Sequence, residues 1–495
     1  MRAIAIFSPS RRSGKSWLIT ALARSLTRQG LRVVPFQSQT EITDGYRVDA
    51  AAEVSQSSAW QAWAAKIQPA THLNPVLLKA CSPPGEPWPK FQLLIQGRGI
   101  GTVKRTAYYD NYYDIARPLI RECLMELQSN CDVLLFDSYR DSLCHPLASD
   151  TDQNFELLKG LEVPVAGIIL IDCTHEGGIN QLWGLWQRLS PENRQLIRGV
   201  IFNQWQGDRP QETQTSQWVK THLKRPVLGY IRPLQNLTFD PESLCTLPAP
   251  NPTKLPQNKL RLQVLQLPNL SSYADFDPLM GESSVNLEFL DHTEPLCYPD
   301  AVIVPHTDQA IADLDYLHKY GYPQQLQQFV NAGGTVLGIG NGANLLSKKI
   351  VLPSGDFQPA LGLMPFASQS HTKAALFPVE TFSRLPFPNL PLSGMTLPCG
   401  ILNYAPSSGY TQLFETPNLG LVNPSQNIWV VYLQGLFNNG SWCRFWLNAL
   451  RQKRGLSSLP TGIANFNERQ EAILETLANH IEQYIDPMTL LDEAP

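Results

Sequence analysis

Two series of short apolar runs, separated by one proline-rich segment, limit most strongly what this chain can fold into. In the first half, runs such as Ala3–Phe7 and Val33–Phe36 alternate with stretches of helical periodicity such as Trp17–Gln29. This alternation predicts a parallel, doubly wound sheet and so the α/β class. The same pattern predicts further strands at Val133–Asp137, Val165–Ile171 and Val200–Asn203, and further helices at Ala50–Lys66, Asp114–Gln128 and Thr213–His222.

A second α/β pattern follows the proline-rich segment Leu247–Pro256, which cannot lie inside a sheet. We therefore predict a first domain at residues 1–245, a linker at 246–259 and a second domain at 260–495, also doubly wound. The second domain is expected to include the C-terminal amphipathic helix Asn467–Ile485. Its predicted strands are Leu262–Leu267, Ala301–Val304, Thr335–Ile339 and Trp429–Tyr432.

Composition excludes several classes of protein. The formal net charge of −4 over 495 residues offers no basic face for nucleic acid. No apolar run approaches the roughly 20 residues that a membrane span needs. The nine cysteines form no CxxC pair, which favours reduced, buried thiols in a cytoplasmic protein. The dispersed histidines suggest no metal cluster.

A candidate phosphate-binding loop lies between the first strand and the first helix. In Ser13-Gly14-Lys15-Ser16, backbone N–H groups at the helix start would bind polyphosphate, Lys15 would reach the β- and γ-phosphates, and Ser16 would ligate Mg²⁺. The standard pattern has a glycine where this chain has Pro9. The alternative interpretation is a cationic helix start with solvated arginines.

A strand, a tight turn and a helix are predicted for Val336–Leu346. Many α/β enzymes mount a nucleophile on such an elbow. The residue at the tip would carry a thiol or a hydroxyl, but here it is Gly340. The elbow therefore has the expected pattern without the reacting group.

Longer segments, in collinear order, resemble signatures of the cobyric acid synthase family, and the resemblance covers nearly the whole chain. They are Ser8–Ser16, Arg32–Gln39, Asn74–Lys79, Gly207–Arg209, Pro226–Gly229, Leu267–Asn269, Asp275–Leu279, Ile311–Leu314 and Tyr432–Phe437. The resemblance implies a first domain similar to dethiobiotin synthetase, which phosphorylates a carboxylate with ATP so that ammonia can displace the phosphate. It also implies a second domain similar to class I glutamine amidotransferases. The implied substrate is a corrinoid, adenosylcobyrinic acid a,c-diamide, amidated at four carboxylates.

The amidotransferase half departs from the family pattern at its essential positions. Gly340 stands at the family's cysteine and Gln434 at its histidine, while His306 replaces a glycine near the oxyanion region. Cys399 has no histidine placed to activate it and is interpreted as a buried thiol. We therefore expect an inactive glutaminase, with nitrogen supplied by free ammonia or a separate glutaminase. The expected protein partner is such a glutaminase or a paralogous synthase.

The resemblance also assigns residues of the synthetase half. Ser13, Gly14, Lys15, Ser16 and Asp137 would hold ATP with Mg²⁺, Asn203 would contact the adenine, and Glu53, Gln61 and Asn74 would lie toward the substrate cleft. Asp137 has an alternative as a solvated carboxylate at a strand end, and Glu53 as an ordinary helix charge. Gln37 replaces a family lysine. A second hypothesis is therefore a non-catalytic paralogue that binds a nucleotide or a corrinoid in a regulatory or scaffold role.

Overall fold

The computed structural model describes residues 1–10, 13–42, 45–48, 52–81, 90–104, 107–108, 111–138, 150–234, 258–271, 273–290, 295–352, 354–369, 377–396, 401–402 and 409–491. The chain divides into two compact units. Unit 1 is Met1–Leu237 together with Glu471–Pro495, and unit 2 is Thr238–Gln470. Of the linker expected at 246–259, only residues 258 and 259 fall within these ranges, so that prediction concerns residues outside the described ones.

Unit 1 is built on strands β1 to β12 and helices α1 to α7. The strands are β1 Arg2–Phe7, β2 Val33–Phe36, β3 Gln39–Ile42, β4 Gly45–Arg47, β5 Glu53–Ser55, β6 Val76–Ala80, β7 Lys90–Ile95, β8 Arg98–Lys104, β9 Val133–Asp137, β10 Val165–Asp172, β11 Ile197–Asn203 and β12 Val227–Tyr230. The helices are α1 Lys15–Arg28, α2 Gln56–Ala64, α3 Tyr113–Gln128, α4 Asp150–Lys159, α5 Gly178–Arg188, α6 Pro191–Leu196 and α7 Arg209–Leu223.

The central sheet of unit 1 has the strand order β12-β11-β10-β1-β9-β2, and every pairing in it is parallel. Strands β1 and β9 are almost wholly buried, as expected for a sheet covered by helices on both faces. Their register places Ile6 opposite Asp137, so both strands end at the same edge. A second sheet, β3-β6-β7-β8, lies in the same unit.

Unit 2 contains the remaining strands and helices, except that most of the last helix belongs to unit 1. Its strands are β13 Leu260–Leu265, β14 Val285–Leu290, β15 Ala301–Val304, β16 Thr335–Ile339, β17 Lys349–Val351, β18 Phe357–Pro359, β19 Ala367–Gln369, β20 Phe377–Phe382, β21 Pro391–Thr396, β22 Ile401–Leu402, β23 Thr411–Gln412, β24 Gly420–Val422 and β25 Ile428–Val431. Its helices are α8 Asp277–Met280, α9 Ala310–Lys319, α10 Tyr322–Asn331, α11 Asn341–Leu346 and α12 Gly440–Lys453. The last helix, α13, runs from Phe466 to Glu482.

The main sheet of unit 2 has the order β14-β13-β15-β16-β25-β24-β23. Its first five strands are parallel, and β24 and β23 continue it in antiparallel fashion. The α/β class with a parallel sheet in each half is therefore confirmed. In both units the carboxyl ends of the parallel strands form one edge, which is where ligands bind in open α/β sheets.

The start of helix α2 was predicted wrongly. The sequence suggested a helix over Ala50–Lys66, but Glu53–Ser55 forms strand β5, paired antiparallel with β4. Helix α2 begins at Gln56 because the Ser55 hydroxyl accepts the Ser58 N–H at 3.1 Å and so caps the helix. Glu53 is consequently a strand residue and not a helix charge.

The C-terminal helix was assigned to the second domain, whereas contacts place the chain from Glu471 onward in unit 1. Ion pairs with helix α1 accompany this placement, beside the fully buried apolar residues Leu474 and Ala478 of α13. Arg24 of helix α1 is fully buried, and its guanidinium donates to the Glu471 carboxylate at 2.7 Å, with Glu475 at 3.7 Å. The Ser25 hydroxyl also donates to Glu482. Helix α13 thus supplies the negative charge that a buried guanidinium requires.

The expectation of buried thiols holds for only some of the described cysteines, all of which are unbonded. Cys123, Cys131 and Cys443 are buried, but Cys81 and Cys297 are exposed. Burial raises the pKa of the Cys443 thiol to about 12, which keeps it protonated and unreactive at neutral pH.

Candidate functional sites

The first candidate site lies at the carboxyl edge of the unit 1 sheet. The candidate phosphate loop follows β1, Gln37 follows β2, and Asp137 and Asn203 are the last residues of β9 and β11. The sheet order makes these strands close neighbours. Four segments that are far apart in sequence therefore deliver polar groups to one place.

Asp137 is the centre of this cluster and is only 1% exposed. Its Oδ2 accepts hydrogen bonds from Ser16 Oγ at 3.1 Å, from Gln61 Nε2 at 2.9 Å and from Gln37 Nε2 at 3.4 Å. Ser16, Asp137 and Gln61 are each predicted from the sequence as site residues, and the structure shows them in direct hydrogen-bond contact. It also rules out a solvated strand-end carboxylate for Asp137.

A chain of hydrogen bonds extends from Gln37. Its Oε1 accepts from Ser55 Oγ at 2.9 Å, and the Ser55 N–H donates to Asn74 Oδ1 at 3.0 Å. Asn74 is fully buried, and its Nδ2 donates to the Gln37 carbonyl at 3.0 Å and to Thr40 Oγ1 at 3.2 Å. Asn74 therefore fixes the backbone beside the cluster. The sequence analysis did not identify Ser55 as part of this network. A serine at the start of a predicted helix is a common N-cap residue, and this pattern could have indicated it.

The phosphate loop has the backbone that a glycine permits. Gly14 has φ +86°, in the left-handed region, and a Cβ built there would overlap the amide nitrogen of Asn203. That nitrogen donates to the Ser13 carbonyl at 2.8 Å. Asn203, predicted to contact adenine, thus holds the loop closely against the end of β11, which requires glycine at position 14.

Glu53 lies on strand β5 and forms an ion pair with Lys79 of β6. The Lys79 Nζ donates to both carboxylate oxygens, at 2.9 and 3.1 Å, and both side chains are 14% exposed. The pair ties strand β5 to strand β6. A substrate role for Glu53 remains a prediction.

The residues at this site fit a phosphate group and a hydrated divalent cation. Ser13 Oγ and Gln61 Oε1 are buried and find no hydrogen-bond partner among the described residues. Buried polar atoms of this kind are normally satisfied, in many cases by ligand or water. Ser16, Asp137 and Gln61 offer the oxygen atoms that Mg²⁺ prefers. Within the described ranges there is no group of three or more His, Cys, Asp or Glu residues suited to another metal.

The second candidate site is the elbow in unit 2. Gly340 follows β16 with φ 56° and ψ −122°, a conformation that side chains rarely adopt, and its N–H donates to the Val431 carbonyl at 2.7 Å. His306 follows the adjacent strand β15, and Gln434 lies just beyond β25 on the other side. Backbone hydrogen bonds join Gln434 to Met395 in both directions, at 2.8 and 3.1 Å.

The His306 ring packs directly over the tip of the elbow. It is 6% exposed, and a Cβ built on Gly340 would overlap its Nδ1. That Nδ1 accepts the backbone N–H of Asn341 at 2.9 Å. The Asn341 side chain donates to the Thr307 carbonyl at 2.8 Å, and Asn344 continues the polar chain to Tyr432. Cys399 lies outside the described residues.

A buried carboxylate supports the loop that carries His306. Asp313 Oδ2 accepts the Thr307 hydroxyl, and Oδ1 accepts Asn269 Nδ2 at 2.8 Å. Burial raises the pKa of Asp313, against the lowering effect of these hydrogen bonds. The loop is therefore held at the side chain of Thr307 and, through the bond from the Ser271 N–H at 3.0 Å, at the His306 carbonyl.

Both halves of the chain match known protein families. Residues 4–244 match the family described as CobQ/CobB/MinD/ParA nucleotide binding domain, and residues 261–442 match the CobB/CobQ-like glutamine amidotransferase domain. The cobyric acid synthase of Rippkaea orientalis is 36% identical, over 98% of this chain and 99% of that protein. That of Nostoc punctiforme is 35% identical with the same coverage, and that of Crocosphaera subtropica is 33% identical over 99% of this chain and all of its own length.

None of the helices in the described part of the chain has both the length and the apolar character needed to cross a bilayer.

Proposed function

The chain belongs to the cobyric acid synthase family of cobalamin biosynthesis, and from that premise we propose that it is an ATP-dependent amide ligase with an inactive glutaminase half. Its substrate would be adenosylcobyrinic acid a,c-diamide. ATP, bound with Mg²⁺, would activate a peripheral carboxylate as an acyl phosphate, and ammonia would then displace the phosphate to give the amide. The nitrogen would come from free ammonia or from a separate glutaminase.

The observation that carries the ligase proposal is the set of contacts on Asp137. Ser16, on the first turn of helix α1, and Gln61 of helix α2 both donate to this carboxylate. A hydroxyl and a carboxylate in contact beside a phosphate loop support joint ligation of Mg²⁺ by Ser16 and Asp137. Lys15 would contact the β- and γ-phosphates from the same turn, and Ser13 and Gly14 would cradle the phosphates. Gln61 and Asn74 would border the substrate, and Asn203 would orient the loop.

The inactive glutaminase is inferred from Gly340 and Gln434. Glutamine hydrolysis on this architecture needs a thiolate nucleophile and a histidine that transfers the proton. A hydrogen and a neutral amide stand at these two positions. Loss of a nucleophile typically lowers the rate by several powers of ten, about 10⁶-fold in a well-studied case. No glutamate should therefore be released from glutamine by this chain.

The test is amidation with two nitrogen sources. Purified protein is incubated with the a,c-diamide substrate, MgATP and either ammonium or glutamine, and the products are separated by mass. We expect stepwise amidation with ammonium and none with glutamine. Lys15→Ala should remove ATP binding and product, whereas Lys220→Ala, an exposed lysine on helix α7, should change neither. Equal amidation from glutamine would contradict the proposal.

A second candidate function is that of a non-catalytic paralogue that binds a nucleotide or a corrinoid. It is favoured by Gln37, a neutral amide at the position of a family lysine, whose Nε2 faces Asp137 and whose Oε1 is bonded to Ser55. Phosphoryl transfer develops negative charge that a lysine there would stabilise. ATP binding without product in the ammonium reaction would support this function and exclude the ligase.

A further inference from the structure

The elbow in unit 2 lacks a nucleophile, and a neighbouring side chain fills the space that the nucleophile would occupy. The His306 imidazole occupies the space directly above Gly340 and is almost fully buried there. A side chain at position 340 would meet the ring's Nδ1 and not empty space. The loss of the thiol and the position of His306 are thus two aspects of one packing arrangement.

His306 also occupies the backbone N–H that would stabilise the oxyanion in a glutaminase reaction. In nucleophile elbows, the N–H of the residue after the nucleophile donates to the oxyanion that forms during attack. Here that residue is Asn341, and its N–H donates to His306 Nδ1 at 2.9 Å. This hydrogen bond requires an unprotonated Nδ1. An oxyanion could use the Asn341 N–H only after the imidazole had left.

The imidazole is held in place by its own loop. The carbonyl of His306 accepts the Ser271 N–H at 3.0 Å. The next residue, Thr307, donates its hydroxyl to buried Asp313 and accepts the Asn341 side-chain amide on its carbonyl at 2.8 Å. Displacement of the loop would therefore break several buried hydrogen bonds together, and rotation of the imidazole alone would break its bond to the Asn341 N–H.

We propose that His306 is an occluding residue, which closes the elbow to the glutamine amide by filling the nucleophile's space and occupying the Asn341 N–H. This inference rests on the proposed loss of glutaminase activity and states why that loss cannot be reversed at Gly340 and Gln434 alone. Restored chemistry would need a third change that removes the imidazole.

The experiment compares two engineered proteins. One carries Gly340→Cys and Gln434→His; the other carries these changes and His306→Gly. Each is treated with the glutamine analogue 6-diazo-5-oxo-L-norleucine, and the adduct is mapped by mass spectrometry of peptides. We expect labelling at position 340 to be at least about 100-fold faster when the imidazole is removed, since one oxyanion donor is worth about 10²–10³ in rate. Equal labelling of the two proteins would overturn the proposal.

A measurement on the unaltered protein covers the case in which the variants do not fold. In ¹⁵N-histidine NMR spectra of the unaltered protein, the ring signals connected to the His306 backbone by through-bond experiments should show Nδ1 unprotonated and Nε2 protonated. The exposed His318 serves as the control for a solvated ring. A protonated Nδ1 on His306 would overturn the proposal. Neither result depends on whether ammonium supports amidation, so failure of the ligase proposal would be seen separately.

Discussion

At the scale of single residues, the most informative feature is that hydrogen-bond donors surround the carboxylate of Asp137 in unit 1. Of the three bonds described above, the one from Gln61 is the shortest, at 2.9 Å, and comes from a fully buried side chain. A carboxylate buried to this degree needs its donors, because an unsatisfied buried charge is costly. If Asp137 ligates a cation when nucleotide binds, its Oδ2 would have to exchange some of these hydrogen-bond donors for the cation.

Gln61→Leu should therefore lower the free energy of unfolding by about 1–3 kcal/mol, since it leaves the Asp137 carboxylate one donor short. Urea denaturation followed by fluorescence measures this change. The control is Gln187→Leu on helix α5, where the side chain is exposed, and an effect within about 0.5 kcal/mol is expected. Similar losses for the two variants would show that Gln61 does not stabilise Asp137.

Asp313 should make the stability of unit 2 depend on pH. Because burial raises its pKa above the ordinary value of 3.8, the folded state binds the proton more tightly than the unfolded state does. The contribution of Asp313 is thus fully present below pH 3.8 and is lost as pH rises through the folded-state pKa. Asp313→Asn removes this dependence.

Urea unfolding of the wild-type protein and the Asp313→Asn variant over a pH series tests the direction of this pH dependence. Relative to the Asn variant, the wild-type protein should lose stability as pH rises above 3.8 and then reach a constant difference. A wild-type protein that gains stability relative to the variant over this range would contradict the raised pKa.

At the scale of elements, helix α13 stabilises helix α1, which begins with Lys15 and Ser16. Arg24 is wholly buried within α1, and its positive charge is met by Glu471 and Glu475 of α13. Arg24 and the candidate phosphate-binding residues Lys15 and Ser16 lie on the same continuous helix. The C-terminal segment is thus expected to contribute to the stability of the phosphate site.

The double variant Glu471→Gln/Glu475→Gln should destabilise unit 1 by about 1–3 kcal/mol, because hydrogen bonds to a charged group are lost while the guanidinium stays buried. The matched control is Glu156→Gln, which removes the partner of exposed Arg117 at 4.0 Å and should cost less than about 1 kcal/mol. Thermal unfolding followed by circular dichroism compares them. A double variant no less stable than the control would refute the role of α13.

Apolar runs in the sequence were sufficient to predict the central strands, because strands such as β1 and β9 are buried along almost their whole length. It failed at the start of helix α2, where a capping hydroxyl and a short antiparallel pair decide the boundary. It also misassigned α13, because the charges of Arg24 and Glu471 meet only after folding. The contact of His306 with Gly340 joins residues 34 positions apart and required the packed sheet.

At the scale of the whole molecule, the two halves differ in what they retain. Unit 1 keeps a candidate phosphate loop whose Ser16 contacts Asp137 at the carboxyl edge of its sheet. Unit 2 keeps the strand and helix of the elbow but has Gly340 at the tip, under the ring of His306. We therefore predict that the protein is a ligase that has kept its activating chemistry and has lost its own source of nitrogen.

The origin of the amide nitrogen tests this account most directly. The protein is incubated with the a,c-diamide substrate, MgATP, ¹⁵N-ammonium and unlabelled glutamine together, and the isotope in each new amide is read by mass spectrometry. We predict that every new amide carries ¹⁵N, with no product from the Lys15→Ala variant. New amides that carry the unlabelled nitrogen of glutamine would contradict the account.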